Sequence, residues 1–258
     1  MSEFEQRFGG TQRIYGEQGV ANFKQAHVCI LGIGGVGSWV AEALARSGIG
    51  EFTLVDADDI CITNTNRQVH VLNDTIGDVK TEAMCQRILQ INPECLVHQE
   101  IEFISSDNVS QILMPQLDYV IDAIDSVGDK AAVIAYCKRN KIPVITIGGA
   151  GGQWDPSCVE IADLAKTKND PLAAKVRSKL RREYGFTRSG KRFYVDCVYS
   201  TEQLKYPQGD GSIDTAKVAA EGGLDCNTGF GAATVVTTTF AMLAAAKVLN
   251  KIRLKDSL

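Results

Sequence analysis

A glycine-rich turn between two apolar runs constrains this chain more than any other feature. The first run, Val28 to Leu31, breaks at Gly32-Ile33-Gly34-Gly35-Val36-Gly37 and leads into a helix-like stretch from Val40 to Arg46. A second run, Phe52 to Val55, ends on Asp56. Glycines at 32, 34, 35 and 37 let backbone approach a pyrophosphate, and the free amides of the following helix attract its charge. Asp56, about twenty residues beyond the turn, sits where an acid accepts hydrogen bonds from ribose hydroxyls. Strand, turn, helix and strand in that register imply nucleotide binding, with the nucleotide still open.

The next residues narrow the choice. A dinucleotide-dependent dehydrogenase has little use for fixed cations beside the phosphates, whereas an adenylyl-transferring site must neutralise a triphosphate. Arg67 and Lys80 supply those cations. Further on, Tyr119 to Ile121 runs into Asp122-Ala123-Ile124-Asp125-Ser126, and a carboxylate at that strand end can hold magnesium on the phosphates. Leu96 to His98 and Val144 to Ile147 read as further strands, Val79 to Ile91 and Lys130 to Asn140 as helices. The expected fold is α/β: a Rossmann-like, doubly wound, mainly parallel sheet to about Ile147, followed by a C-terminal substrate-binding extension. Gly148 to Gln153, after the last of these strands, is either part of an acceptor pocket or a packing loop.

Charge and cysteines set limits. The net charge is −4, yet Lys166 to Arg192 concentrates lysine and arginine. A helix starting near Pro171 would place Lys175, Lys179 and Arg182 on one face, with Lys166 just upstream and Phe186, Phe193 and Tyr194 available to stack on bases. That face is either a phosphate-contacting surface or a solvated one. Eight cysteines occur without any Cys-x-x-Cys pair, so no structural thiolate zinc is expected. Buried small hydrophobes is the reading for most of them; Cys197 is the thiol best placed for sulfur transfer, with a structural role favoured. The sequence opens without a basic, apolar leader, so a cytoplasmic protein without disulfides is expected. Gly229 to Leu249 is apolar but rich in alanine and threonine, which favours a buried or interfacial helix over a membrane span.

Taken together, GIGGVG, Leu54-Val55-Asp56, Asn64 to Gln68, Lys80, Ile91-Asn92-Pro93 and Asp122 to Asp125 resemble the adenylation domain of the ubiquitin-activating superfamily. That resemblance implies ribose contact by Asp56, phosphate contact by Asn64, Arg67 and Lys80 with Asn66 in the nucleotide-binding set, and magnesium on Asp125. Thr63 to Gln68, Ile121 to Ser126, Gly148 to Gly152, Asp163 to Thr167 with Asp170-Pro171-Leu172-Ala173, and Gly229 to Thr234 resemble one branch, the bacterial tRNA threonylcarbamoyladenosine dehydratases. The branch implies ATP-dependent adenylation of the threonine carboxylate of N6-threonylcarbamoyladenosine at position 37 of tRNA, then ring closure with loss of AMP.

On that resemblance, residues 1–160 form the ATP-binding core and 161–258 a basic tRNA-contacting segment with a packing or dimer helix, in one continuous domain. ATP and Mg2+ are the implied cofactors, with a monovalent alkali cation as a further candidate. The implied partners are tRNA and a second copy of the chain, with a cysteine desulfurase or sulfur-acceptor system as another candidate. An RNA substrate tips the basic helix toward phosphate contact. One departure stands out: the superfamily's N-terminal Arg-aromatic-x-Arg phrase is replaced by Arg7-Phe8-Gly9-Gly10, so either Arg13 reaches a neighbouring subunit's triphosphate or that contact is missing. The alternative function is adenylation of a sulfur-carrier C-terminus, for which the zinc pairs are missing. An NAD-dependent oxidoreductase leaves Arg67, Lys80 and Asp125 without a task, and a non-catalytic RNA-binding module leaves the whole ATP set without one.

Overall fold

The computed structural model describes residues 2–188, 190–216 and 231–255. Its first strand, β1 (His27–Leu31), is buried along its whole length. Both faces of the strand are covered, which is why Val28 to Leu31 reads as a continuous apolar run. Around it lie β2 (Glu51–Val55), β3 (Leu96–Glu100), β4 (Tyr119–Asp122), β5 (Val144–Ile147), β6 (Val159–Asp163) and β7 (Asp196–Ser200). The seven strands follow the order β3-β2-β1-β4-β5-β7-β6, and all pairs are parallel except β6 with β7. A separate two-stranded ribbon joins β8 (Tyr206–Pro207) to β9 (Ile213–Asp214).

Strand alternation assigns the two cores. Val28 and Ile30 face a layer formed by α1 (Glu3–Gln25), α2 (Gly37–Ala45), α3 (Lys80–Ile91) and α7 (Thr234–Ile252), where Phe8, Phe23, Leu44, Met84 and Phe240 are buried. Cys29 and Leu31 face the opposite layer, formed by α4 (Val109–Ile112), α5 (Val127–Asn140) and α6 (Pro171–Glu183). Helices on both faces of a mainly parallel sheet make the expected doubly wound α/β architecture.

The sheet extends beyond the expected end near Ile147. β7 adds in parallel beside β5, and β6 closes the edge in the antiparallel sense. Asp196 and Ser200 bracket only three less polar residues in β7, while β6 carries Glu160 and Asp163; neither forms the long apolar run that signals a central strand. The sheet therefore draws on residues both before and after 160.

In α7, Val236, Phe240, Ala244, Val248 and Ile252 recur every four residues and are buried against α2 and the sheet. The helix is long and apolar enough to cross a membrane, with a mean hydropathy of 1.3, but half of its most apolar window is buried inside the protein. That burial matches the expected core helix. Gly229 and Phe230, at the start of the apolar stretch, lie outside the described residues, as does Cys226.

Candidate nucleotide site

Strand order reverses between β1 and β4, which opens a crevice at their carboxyl ends. The glycine turn fills one wall of it. Gly32 has φ +84°, and its amide donates to Val55 O at 2.9 Å. A Cβ on Gly37 would lie 1.8 Å from Gly32 O, so only glycine fits where the turn enters α2. Gly34 faces open space, and a Cβ on Gly35 would press at 3.2 Å on the stem of Arg67. Asp56 follows β2 and is buried; its Oδ2 accepts from Ile33 N at 2.6 Å and its Oδ1 from Asp58 N at 2.9 Å. Asp56 is thus held by the glycine turn itself.

The cations gather beside this turn. Arg67 Nη1 donates to Thr63 O and to Asn66 Oδ1, and the Trp39 indole donates to Arg67 O at 3.0 Å. Asn66 donates to Ala232 O at 2.8 Å and its carbonyl accepts from the Thr234 hydroxyl, so the start of α7 closes on this loop. Asn64 is buried and accepts from Cys61 N. Lys80, the first residue of α3, is buried and its Nζ lies 2.5 Å from Asp58 Oδ2. Asp58 was not singled out from the sequence. Only its spacing from Asp56 on a strand-end turn hinted at it.

The two strand-end acids after β4 separate cleanly. Asp122 is fully buried, bonded to Lys130 Nζ at 2.9 Å and Thr146 Oγ1 at 2.7 Å. Burial pushes its carboxyl up while the Lys130 ammonium opposes that rise. Asp125 is exposed, and among the described residues its carboxylate makes no hydrogen bond or ion pair. Of the two, Asp125 has the free oxygens that Mg2+ requires. A Cβ on Gly32 would lie 3.1 Å from Ala123 O and 3.3 Å from Ile124 Cγ2, so the same loop runs close against the glycine turn. Arg13 forms none of these contacts; it is exposed on α1, ahead of a break at Gly16 where φ is +80°.

The second glycine loop packs. Asp170 caps α6 through Ala173 N at 2.8 Å and accepts from Gly149 N at 2.9 Å, and a Cβ on Gly148 would lie 1.9 Å from its Oδ2. Burial pushes this carboxyl up as well. Asp170 also was missed as anything beyond a motif residue, although Asp-Pro is a recognisable helix start.

α6 forms where expected and buries Ala173, Val176 and Leu180, which turns Lys175, Lys179 and Arg182 outward. Lys179 and Arg182 each reach Glu183 at 2.7 Å, and Lys166 Nζ donates to Gly190 O. The aromatic expectation needs correction. Phe193 is buried, with Phe186 edge-on at 5.0 Å and Arg181 over its ring, so these two rings are core; of the three, Tyr194 is the exposed one, at 77%, with Lys138 over one face of its ring. Apolar spacing alone does not separate a core ring from a surface ring one residue away. Cys197 is buried in β7 and burial pushes its thiol up, while exposed Cys61 is lowered by the Thr63 hydroxyl bond and by nearby Arg67 and Lys80.

A model of the ThiF family matches residues 9–256. The chain belongs to the ThiF family. Among its relatives, the tRNA threonylcarbamoyladenosine dehydratase of Escherichia coli K12 is 56% identical over 98% of this chain and 95% of its own length. The enzyme of the same name from Haemophilus influenzae is 54% identical over all of this chain and 97% of its own. Among solved structures, the E. coli dehydratase in complex with ATP superposes with a TM-score of 0.88 at 52% identity, covering 98% of this chain and 96% of that one. The ThiF family fold of this chain is therefore shared across nearly the whole length of both structures.

Proposed function

We propose that this ThiF family chain is an ATP-dependent tRNA threonylcarbamoyladenosine dehydratase. The observation that carries the reading is 56% identity across 98% of the chain to the E. coli enzyme of that name. The threonine carboxylate attacks the α-phosphorus of ATP, giving an acyl-adenylate and pyrophosphate. A nucleophilic atom of the carbamoyl group then closes the ring on the activated carbonyl and AMP leaves with the carboxylate oxygen, so the base has lost the elements of water.

In this reading Asp56 holds the ribose and the Gly32 to Gly37 turn with the α2 amides receives the phosphates. Arg67 and Lys80 stabilise charge that develops on the α-phosphoryl group, with Asn64 and Asn66 shaping their loop. Mg2+ on Asp125 would neutralise the triphosphate. The exposed face of α6, with Lys166 nearby, receives tRNA backbone. A homodimer is supported by the apolar side chains Ile14, Val235 and Met242 left exposed on neighbouring α1 and α7, and Arg13 beside Ile14 would then reach a partner's triphosphate. The compartment is the cytoplasm, where tRNA and ATP meet. Among the described residues none argues for an alkali cation or a sulfur-transfer partner, and buried Cys197 does not suit sulfur acceptance.

The test is ATP consumption with defined acceptors. AMP formation that requires tRNA bearing threonylcarbamoyladenosine supports the reading; AMP formation that requires a carrier-protein C-terminus instead would replace it with the sulfur-carrier alternative.

A further inference from the structure

The starts of the strands, at the sheet edge opposite the glycine turn, carry a second polar cluster that adenylation does not use. His27 opens β1, Glu51 opens β2, and His98 lies in the middle of β3. In the parallel register His27 pairs with Glu51, and Thr53 pairs with His98. Because side chains alternate along a strand, all four project from one face of the sheet.

Their polar atoms converge. Glu51 Oε1 is 3.4 Å from His27 Nδ1 and 2.8 Å from His98 Nε2, and one donor atom from each of the three residues lies within 4.8 Å of the others. His27 Nε2 is 2.8 Å from Thr53 Oγ1. With its proton on that nitrogen, donated to the hydroxyl, His27 presents the Nδ1 lone pair to the cluster. The His27 amide is fixed in turn by Asp118 Oδ2 at 3.0 Å. Beside the cluster is an open cavity of 460 Å3, lined also by Glu100, Gln111 and Met114, large enough for a cation to enter with water.

We infer that His27 Nδ1, His98 Nε2 and Glu51 form a binding site for a divalent transition-metal ion, matched best to Zn2+, with water completing its coordination. Two imidazoles and one carboxylate suit Zn2+ and disfavour Mg2+, which takes oxygen ligands. Tetrahedral bonds of about 2.0 to 2.1 Å place neighbouring donors roughly 3.3 Å apart. The His27 and Glu51 atoms already have that spacing; His98 must open by about half an ångström from Glu51, which its half-exposed side chain achieves by rotation. Thr53 supplies the partner that orients a ligating histidine through its other nitrogen. The site contains no thiol, so the absence of Cys-x-x-Cys pairs does not bear on it. The bound ion would tie together β1, β2 and β3 at the end of the sheet remote from the nucleotide crevice.

The experiment titrates the nucleotide-free, chelator-stripped full chain with Co2+ and then displaces it with Zn2+, following visible absorption and heat. The expected result is one equivalent per chain, a low-symmetry Co2+ spectrum without thiolate charge transfer, and a loss of Zn2+ affinity of about 100-fold or more in both His98→Ala and Glu51→Gln. Both variants keep wild-type ATP binding, which shows that they fold. Absence of Zn2+ binding at micromolar concentration, a thiolate signature, or unchanged affinity in the two variants would each overturn the inference and leave the cluster as a hydrogen-bonded staple between strands.

Discussion

Lys80 enters the site already paired. Its buried ammonium rests on Asp58, itself placed by the turn that follows Asp56, so the lysine is oriented before any triphosphate arrives. Arg67 is held at Thr63 and Asn66, and among the described residues it makes no ion pair. In the proposed reading either cation contacts charge that develops at the α-phosphorus, so Lys80→Ala and Arg67→Ala should each lower AMP formation on the order of 100-fold at saturating ATP. Asp125→Ala should do likewise through weaker Mg2+ binding; normal turnover in all three would remove them from the site. His70 makes a separate prediction. Burial, with help from the Lys80 and Arg87 cations, lowers its imidazole to about 4 from 6.5. Between those values the unfolded chain binds the extra proton and the folded chain does not, so stability must fall as pH drops from about 6.5 toward 4, by about 3 kcal/mol. Denaturant unfolding across that range checks it, and His70→Phe should flatten the pH dependence; a wild type equally stable at both ends contradicts it. At this scale the sequence showed residues whose spacing is itself the signal, such as Gly32 to Gly37 and Asp56. It hid Asp58 with Lys80 and Asp122 with Lys130, because those pairs exist only once separate elements are brought together.

Among the elements, α6 was legible from Pro171 and the recurrence of Lys175, Lys179 and Arg182, and α7 from an apolar stretch rich in alanine and threonine. β6 and β7 were not, since an edge strand and its short neighbour lack a long apolar run. Phe186 and Phe193 were misread for a related reason: a loop after a basic helix gives no period from which to infer facing. The exposed face of α6 now supports a sharper prediction. Lys179 and Arg182 converge on Glu183, while Lys175 makes no ion pair among the described residues, so the three differ in how freely they meet a phosphate. Reversing Lys175, Lys179 and Arg182 to glutamate should weaken tRNA binding and make its salt dependence shallower by roughly one unit of slope per lost contact at most. ATP affinity should stay near wild type, because the nucleotide uses different charges. A titration at several salt concentrations decides; identical slopes and affinities would make α6 a solvated surface.

Across the whole molecule, the sheet sorts its polar residues by end. The carboxyl ends of β1, β2 and β4 carry the glycine turn, Asp56 and the loop to Asp125, whereas the amino ends of β1 and β2 carry His27 and Glu51, which meet His98 from the middle of β3. The parallel arrangement makes this possible, since it brings every strand's carboxyl end to one edge where crossover loops assemble a ligand crevice. α7 links that edge to the remainder of the chain: its first residues hold Asn66 while its middle packs against α2. A chain so built, in a family with dehydratases over half identical across nearly their whole length, should convert a specific nucleoside and not merely bind RNA. The direct measurement is mass spectrometry of nucleosides from tRNA incubated with this protein, ATP and Mg2+. The account predicts that threonylcarbamoyladenosine disappears as a product lighter by one water appears, only when ATP is present; unchanged threonylcarbamoyladenosine with a protein that binds both ATP and tRNA would contradict it.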